Sequence, residues 1–213
     1  MTLKIKSYTL GIVATNAYLI GDDVSKQAVL IDPVDEAQLL VDGAQEEGWE
    51  IALILATHAH FDHVLASAEL KRLTGAPFAL HAEAAATLES LPLHYQRYFG
   101  ILGPQAAVPD RLLTTEPEII EVGAIKLETL YTPGHAPGHI SFNMPEQKIV
   151  FSGDALFAGS IGRTDLPGGN LQQLLNSIST KLLTLTDDTT VLSGHGEPTT
   201  IGQERSTNPF LQF

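Results

Sequence analysis

The stretch Thr57-His58-Ala59-His60-Phe61-Asp62-His63 constrains this chain more than any other. Three imidazoles and a carboxylate fall within six positions, directly after the apolar run Ile51-Ala52-Leu53-Ile54-Leu55-Ala56. A continuous apolar run of that length predicts a buried strand. On an extended strand end, residues i and i+2 point to the same side, so His58 and His60 converge on one point. Asp62 and His63 begin a predicted helix and face a neighbouring point. The segment reads as a holder for two metal ions. The competing reading is a His-rich surface loop.

Three further candidate ligands stand at predicted strand ends. They are His135 in Thr132-Pro133-Gly134-His135, Asp154 in Phe151-Ser152-Gly153-Asp154, and His195 in Ser193-Gly194-His195-Gly196. Each follows a glycine, which lets the backbone turn sharply and approach closely. A single His after a strand is usually a packed or exposed residue. The recurrence of strand, glycine, then His or Asp points to one shared site at the edge of the sheets. His139 and His81 are candidates for holding site loops. His94 lies in an irregular segment and receives no catalytic role.

The rest of the chain alternates strands and helices, the α/β rhythm. Strands are expected at 3–10, 16–20, 27–31 and 78–81, with Asp32-Pro33 ending the third. A helix after Asp35 is expected to use Asp35 and Gln38 as a capping-box variant. Its buried face is Ala37, Leu40, Val41 and Ala44, with Gly48 as the stop. A second helix is expected from about Asp62 to Leu73. The segment 92–113, with Tyr95, Tyr98 and Phe99, reads as a long irregular loop of the kind that forms lids or packs as a plain connection. Strands follow at 124–131, 140–144, 148–151 and 190–193. A helix capped by Asn170 buries Leu171, Leu174, Leu175, Ile178 and Leu182. Both halves run strands first and then a helix, which predicts two similar halves packed face to face.

Composition narrows the function. With 25 acidic and 12 basic residues the formal charge is −13 over 213 residues, and no Lys/Arg cluster is present. Such a chain repels phosphate backbones, so nucleic acid is not the expected partner. The chain has no cysteine. Disulfides and zinc–thiolate sites are excluded, and any metal rests on imidazole and carboxylate. No apolar stretch approaches membrane-spanning length, and the first residues lack the apolar core of a secretory signal. A soluble cytoplasmic protein without membrane contact is expected. Its oligomeric state is left open.

The pattern His58-x-His60-x-Asp62-His63, then His135, Asp154 and His195 in that order, resembles the metallo-β-lactamase superfamily over nearly the whole chain. The resemblance implies an α/β fold, α+β in some schemes: a four-layer αββα sandwich with a binuclear centre at the sheet edge. It implies a first metal on His58, His60 and His135, a second on Asp62, His63 and His195, and Asp154 between them. β-Lactamases of this fold typically carry Cys where Asp154 stands and are exported. Flavodiiron proteins usually carry Glu in place of His60. The RNA-processing nucleases carry extra domains, whereas 18 residues follow His195 here. The segments 132–139, 153–157 and 162–169, and the ending Pro198 to Arg205 with Asn208-Pro209-Phe210, look like the glyoxalase II-like branch in its short, single-domain form. One domain spanning 1–213 is expected, without the C-terminal helical domain that helps hold glutathione. Arg163 and Asp165 stand roughly where that branch has the Lys and Tyr that bind glutathione.

The resemblance thus implies a metal-dependent hydrolase acting on a small thioester or ester. The substrate it implies is a hydroxyacyl thioester of the S-lactoylglutathione type, expected to be cleaved by a metal-bridging hydroxide. Two ions about 3.5–4 Å apart lower the pKa of a shared water and polarise the carbonyl. A thiol leaving group, with a pKa near about 8.5, departs without a strong general acid. Asp62 is the expected catalytic proton acceptor beside its ligand role, and Arg163 the expected substrate-binding cation. Zinc is the expected metal, with iron, manganese or mixed occupancy as alternatives. Two other readings stay open: a lactonase, and a persulfide dioxygenase with one iron on His58, His135 and Asp154.

Overall fold

Three layers of apolar contact organise the protein, and they follow from residues that alternate along strands buried on both faces. A computed structural model describes residues 3–212. Strands β1 (Leu3–Leu10), β2 (Thr15–Asp22) and β3 (Gln27–Ile31) form an antiparallel meander. Helix α1 (Ala37–Glu46) crosses to β4 (Glu50–Leu55), which runs parallel to β3. Helices α2 (Phe61–Val64) and α3 (Ser67–Thr74) lead to β5 (Phe78–His81). A 3-10 turn at Ala82–Ala84, then α4 (Ala85–Glu89) and α5 (Leu91–Phe99), lead to β6 (Arg111–Leu113). Sequential order is spatial order in this first sheet, β1 to β6.

The second sheet has the order β14-β13-β10-β9-β8-β7. Its strands are β7 (Ile119–Val122), β8 (Ile125–Tyr131), β9 (Ile140–Met144) and β10 (Ile149–Gly153), joined later by β13 (Thr190–Ser193) and β14 (Thr199–Thr200). Between them lie the small hairpin β11 (Leu156–Phe157) and β12 (Ser160–Ile161), and helix α6 (Leu171–Ser177), which runs on into a wider turn at Ile178–Leu182. Helix α7 (Ile201–Thr207) closes the chain.

Alternate residues of each inner strand face opposite layers. From β2 to β4, Leu19, Leu30 and Ile54 pack towards Leu40, Val41 and Leu70 of α1 and α3. Ile20, Val29, Ile31, Leu53 and Leu55 instead meet Ile125, Leu127, Ile140, Phe142 and Phe151 of the facing sheet. In β10 the neighbour of Phe151, Val150, turns to the other side and packs with Leu174, Ile178 and Leu182. The layers are therefore helix, sheet, sheet, helix, as expected.

The structure corrects three local expectations. Asp35 does not cap α1: its Oδ1 accepts from Glu36 N at 2.8 Å, while Gln38 Nε2 donates to Asp42 Oδ1 at 2.8 Å. The helix starts instead from Glu36 at φ 49°. The single helix expected from Asp62 to Leu73 is two helices. Ala66 N donates to Pro33 O at 3.0 Å rather than one turn back, which breaks the ladder between α2 and α3. The segment 92–113, read as irregular, is ordered at both ends: α5 covers 91–99, with Pro92 in the first turn where its missing N–H is harmless, and β6 covers 111–113. Asn170 caps α6 as expected, its side chain accepting from Gln173 N at 3.0 Å. Leu174, Ile178 and Leu182 are buried, whereas Leu171 is half exposed.

Candidate metal centre

The strand ends of both sheets bring the predicted ligands to one place. His58 follows β4, Asp62 and His63 sit on α2, and His135, Asp154 and His195 follow β8, β10 and β13. Ligand atoms of His58, His60 and His135 lie within 4.8 Å of one another, as do those of Asp62, His63 and His195, and of His58, His63 and Asp154. All seven predicted metal ligands are thus gathered in one cluster. Asp154 lies between the two halves: Oδ1 is 3.3 Å from His63 Nε2, and Oδ2 is 3.5 Å from the Nε2 atoms of His135 and His195. Two glycines make this possible. An ideal Cβ on Gly194 would stand 2.2 Å from Asp154 Oδ1, and one on Gly134, at φ 130°, would stand 2.2 Å from Leu174 N.

Hydrogen bonds assign the ring protons. Thr57 Oγ1 donates to Asp32 Oδ2 at 2.9 Å, so it accepts from His58 Nδ1 at 3.0 Å. His135 Nδ1 donates to Arg163 O at 2.7 Å. Both residues therefore turn an Nε2 lone pair inward, and both aim at His60 Nδ1, at 3.0 and 2.8 Å. One proton on His60 cannot serve both acceptors. Burial and neighbouring imidazoles push the His58 pKa well below its ordinary value, and that of His60 down to about 3; burial lowers that of His135 as well. Three neutral imidazoles with converging lone pairs are a donor set for a cation.

The second half has the opposite character. His63 Nδ1 donates to Asp32 Oδ2 at 2.8 Å, which leaves a fully buried Nε2 towards Asp62 and Asp154. Neither His63 Nε2 nor Asp154 Oδ1 has a hydrogen-bond partner among the described residues. Burial opposes charge on His63, but Asp154, Asp62 and Asp32 outweigh it and raise its pKa. Burial likewise opposes charge on His195, yet hydrogen bonds to Asp154 and Asp62 bring its pKa up to about 10. Burial works against ionised Asp62, but His63 and His195 hold its pKa at about 2. Two carboxylates beside two buried, unpartnered polar atoms, His63 Nε2 and Asp154 Oδ1, fit a second cation.

The sequence reading missed Asp32. It ended a strand there, and no local signal ties it to a site 31 positions away. Its Oδ1 accepts from Thr57 N at 2.7 Å and its Oδ2 orients His63, all from a residue at φ 58°. Thr15 was missed as well; its Oγ1 donates to Asp62 Oδ2 at 2.8 Å. His139 does not face the cluster as a ligand. Its Nε2 accepts from Asp154 N at 3.1 Å and its Nδ1 bonds Thr132 Oγ1 at 2.9 Å, so it fixes the Asp154 loop. His81 lies apart, capping the 3-10 turn and stacking on Tyr131 at 4.8 Å. His94 lines a cavity of about 900 Å³ that opens on the cluster. Arg163 lines it too, with its Nε and Nη2 on Asp165 at 2.7 and 2.8 Å.

Residues 10–195 match the metallo-beta-lactamase superfamily. This chain belongs to that superfamily. It is 45% identical over 197 residues, 92% of each chain, to "Hydroxyacylglutathione hydrolase GloC" of Haemophilus influenzae. Among solved structures it is similar to "BLEG-1 B3 metallo-beta-lactamase", at 40% identity and TM-score 0.92, covering 99% of this chain and 100% of that one. It is similar to TTHA1623 "in a di-iron-bound form", at 42% identity and TM-score 0.86 over 97% and 100%. ETHE1 from Myxococcus xanthus follows at 31% identity and TM-score 0.80 over 97% and 83%. Among the described residues no helix is long and apolar enough to cross a membrane.

Proposed function

We infer that this metallo-hydrolase cleaves a hydroxyacyl thioester of the S-lactoylglutathione type and works with two divalent metals. The observation that carries the reading is the pair of donor sets on either side of Asp154, facing one cavity. The relative named hydroxyacylglutathione hydrolase supports the substrate class, and the di-iron neighbour supports two metals with iron beside zinc as their identity. His58, His60 and His135 would hold one ion, Asp62, His63 and His195 the other, with Asp154 shared. Bound there, the ions supply a water ionised near neutral pH and polarise the substrate carbonyl.

The remaining chemistry belongs to the chain. Asp62, ionised and held by the Thr15 hydroxyl, takes the proton of the attacking water. Asp32 and the Arg163 carbonyl keep His63 and His135 in the tautomer that presents Nε2. The mostly apolar cavity wall excludes bulk water from the reacting carbonyl. The thiol leaves as thiolate and needs no further acid. Arg163 stands at the same cavity, but its guanidinium is paired with Asp165.

The test is metal content of protein purified without added metal, together with cleavage of S-D-lactoylglutathione. Near two metals per chain with thioester cleavage supports this reading. The likeness to ETHE1 is compatible with a persulfide dioxygenase. One iron per chain, oxygen uptake on glutathione persulfide and no thioester cleavage would establish that alternative instead.

A further inference from the structure

Arg97 stands apart from the other arginines of this chain. The sequence holds five. Arg72, Arg111, Arg163 and Arg205 each pair with a carboxylate, from Glu69, Glu118, Asp165 and Asp187. Among the described residues Arg97 pairs with none, although the chain carries a formal charge of −13. His94 and Arg97, three apart, share one face of α5, and with Ser90 at the start of that helix they line the cavity beside the candidate metal centre. Among the described residues, the only carboxylates lining that cavity are Asp62 and Asp154, both members of the donor cluster. Much of the remaining wall is apolar, including Ile12 and Tyr98, which are 77% and 57% exposed.

An unpaired guanidinium facing an apolar-walled cavity is matched to a carboxylate, which it grips through two parallel hydrogen bonds. A single free fork in a strongly acidic protein disfavours a multiply charged phosphate ester, which the surrounding field repels. The fork of Arg163 is already filled by Asp165. We propose that Arg97 is a specificity residue that receives a carboxylate on the thiol half of the substrate. The reacting carbonyl then lies at the metal centre, and the middle of the substrate lies along the cavity wall. The proposal rests on the thioester reading for the reacting end alone.

The test is calorimetric binding to the metal-loaded protein of S-hexylglutathione, a thioether that cannot be hydrolysed, and of its dimethyl ester. The wild-type protein is expected to prefer the free acid by roughly ten- to hundredfold. Arg97→Gln should abolish the preference, Arg97→Lys should restore part of it, and Arg72→Gln should keep it whole. Matching melting temperatures check that each variant folds. A wild-type protein that shows no preference, or binds neither compound, overturns the proposal, as does Arg97→Gln with its preference intact. Loss of preference in Arg97→Gln, with no cleavage of S-D-lactoylglutathione by the wild type, keeps the role of Arg97 and refutes the thioester reading. Thioester cleavage with an unchanged preference in Arg97→Gln does the reverse.

Discussion

A methyl group at position 194 would reach 2.2 Å from Asp154 Oδ1 and 2.7 Å from His63 Cε1. Real Cβ atoms do not approach so closely, so Gly194→Ala must displace a group of the donor cluster while leaving every ligand type in place. The variant is expected to lose bound metal and hydrolase activity together; full metal content at wild-type turnover would refute the geometry. Asp32→Asn tests the support behind the ligands. Oδ2 of Asp32 receives both Thr57 Oγ1 and His63 Nδ1, and an amide NH2 there would face two donors. Metal affinity should fall by about 10–100-fold, measured by competition with a chelator. His58→Ala should remove most of the activity and most of the first metal. The candidate ligands were legible because His58 to His63 fall within six positions after one strand and His135, Asp154 and His195 each follow another. Asp32 was not, because its bond to His63 spans 31 positions and leaves no trace in the local pattern.

At the scale of elements, α6 shows what a sequence specifies locally. Its Asn170 cap and its apolar repeat act within a turn or two of the chain, and the structure uses both. Asn170→Ala is expected to lower stability by about 1 kcal/mol, and Leu174→Ala by about 2–5 kcal/mol. Urea midpoints of the two variants check the order; equal losses would mean that packing does not dominate this helix. Helix α1 shows the opposite. Its Asp35 side chain was spent on the neighbouring N–H of Glu36, a choice that propensity does not decide. The split between α2 and α3 came from Pro33, a residue far from either helix, whose carbonyl captured Ala66 N. Helix α5 hid behind Tyr95, Tyr98 and Phe99, aromatic residues with weak helix preference. It forms because those rings pack with Phe61 at centroid distances of 6.0, 5.4 and 5.5 Å.

Across the whole molecule, the two sheets are tied at the end of β2 as well as through their apolar faces. Asp22 accepts from Ser25 Oγ at 2.7 Å, from Val24 N at 3.0 Å and, on the facing half, from Ala124 N at 3.0 Å. Those bonds, Ser25 foremost, lower its pKa from 3.8 to about 2. A carboxylate whose pKa is depressed on folding stabilises the folded state above its unfolded value, and that contribution is lost as the pH falls through the folded one. Wild-type stability should therefore decline between pH 3.8 and about pH 2, and Asp22→Asn should flatten that part of the curve. Urea titrations at several pH values make the comparison, and parallel curves for the two proteins would refute it. The sequence by itself determined most of the strands, the kinds of candidate ligand and their order along the chain. Those features depend on period-two burial and on residues adjacent to strand ends, which are local properties. Only the tertiary structure decided that Asp32 orients His63, that the ring nitrogens of His139 are already engaged, and that Arg97 is left without a carboxylate. Each of these depends on which groups from distant parts of the chain arrive within hydrogen-bonding distance once the layers close.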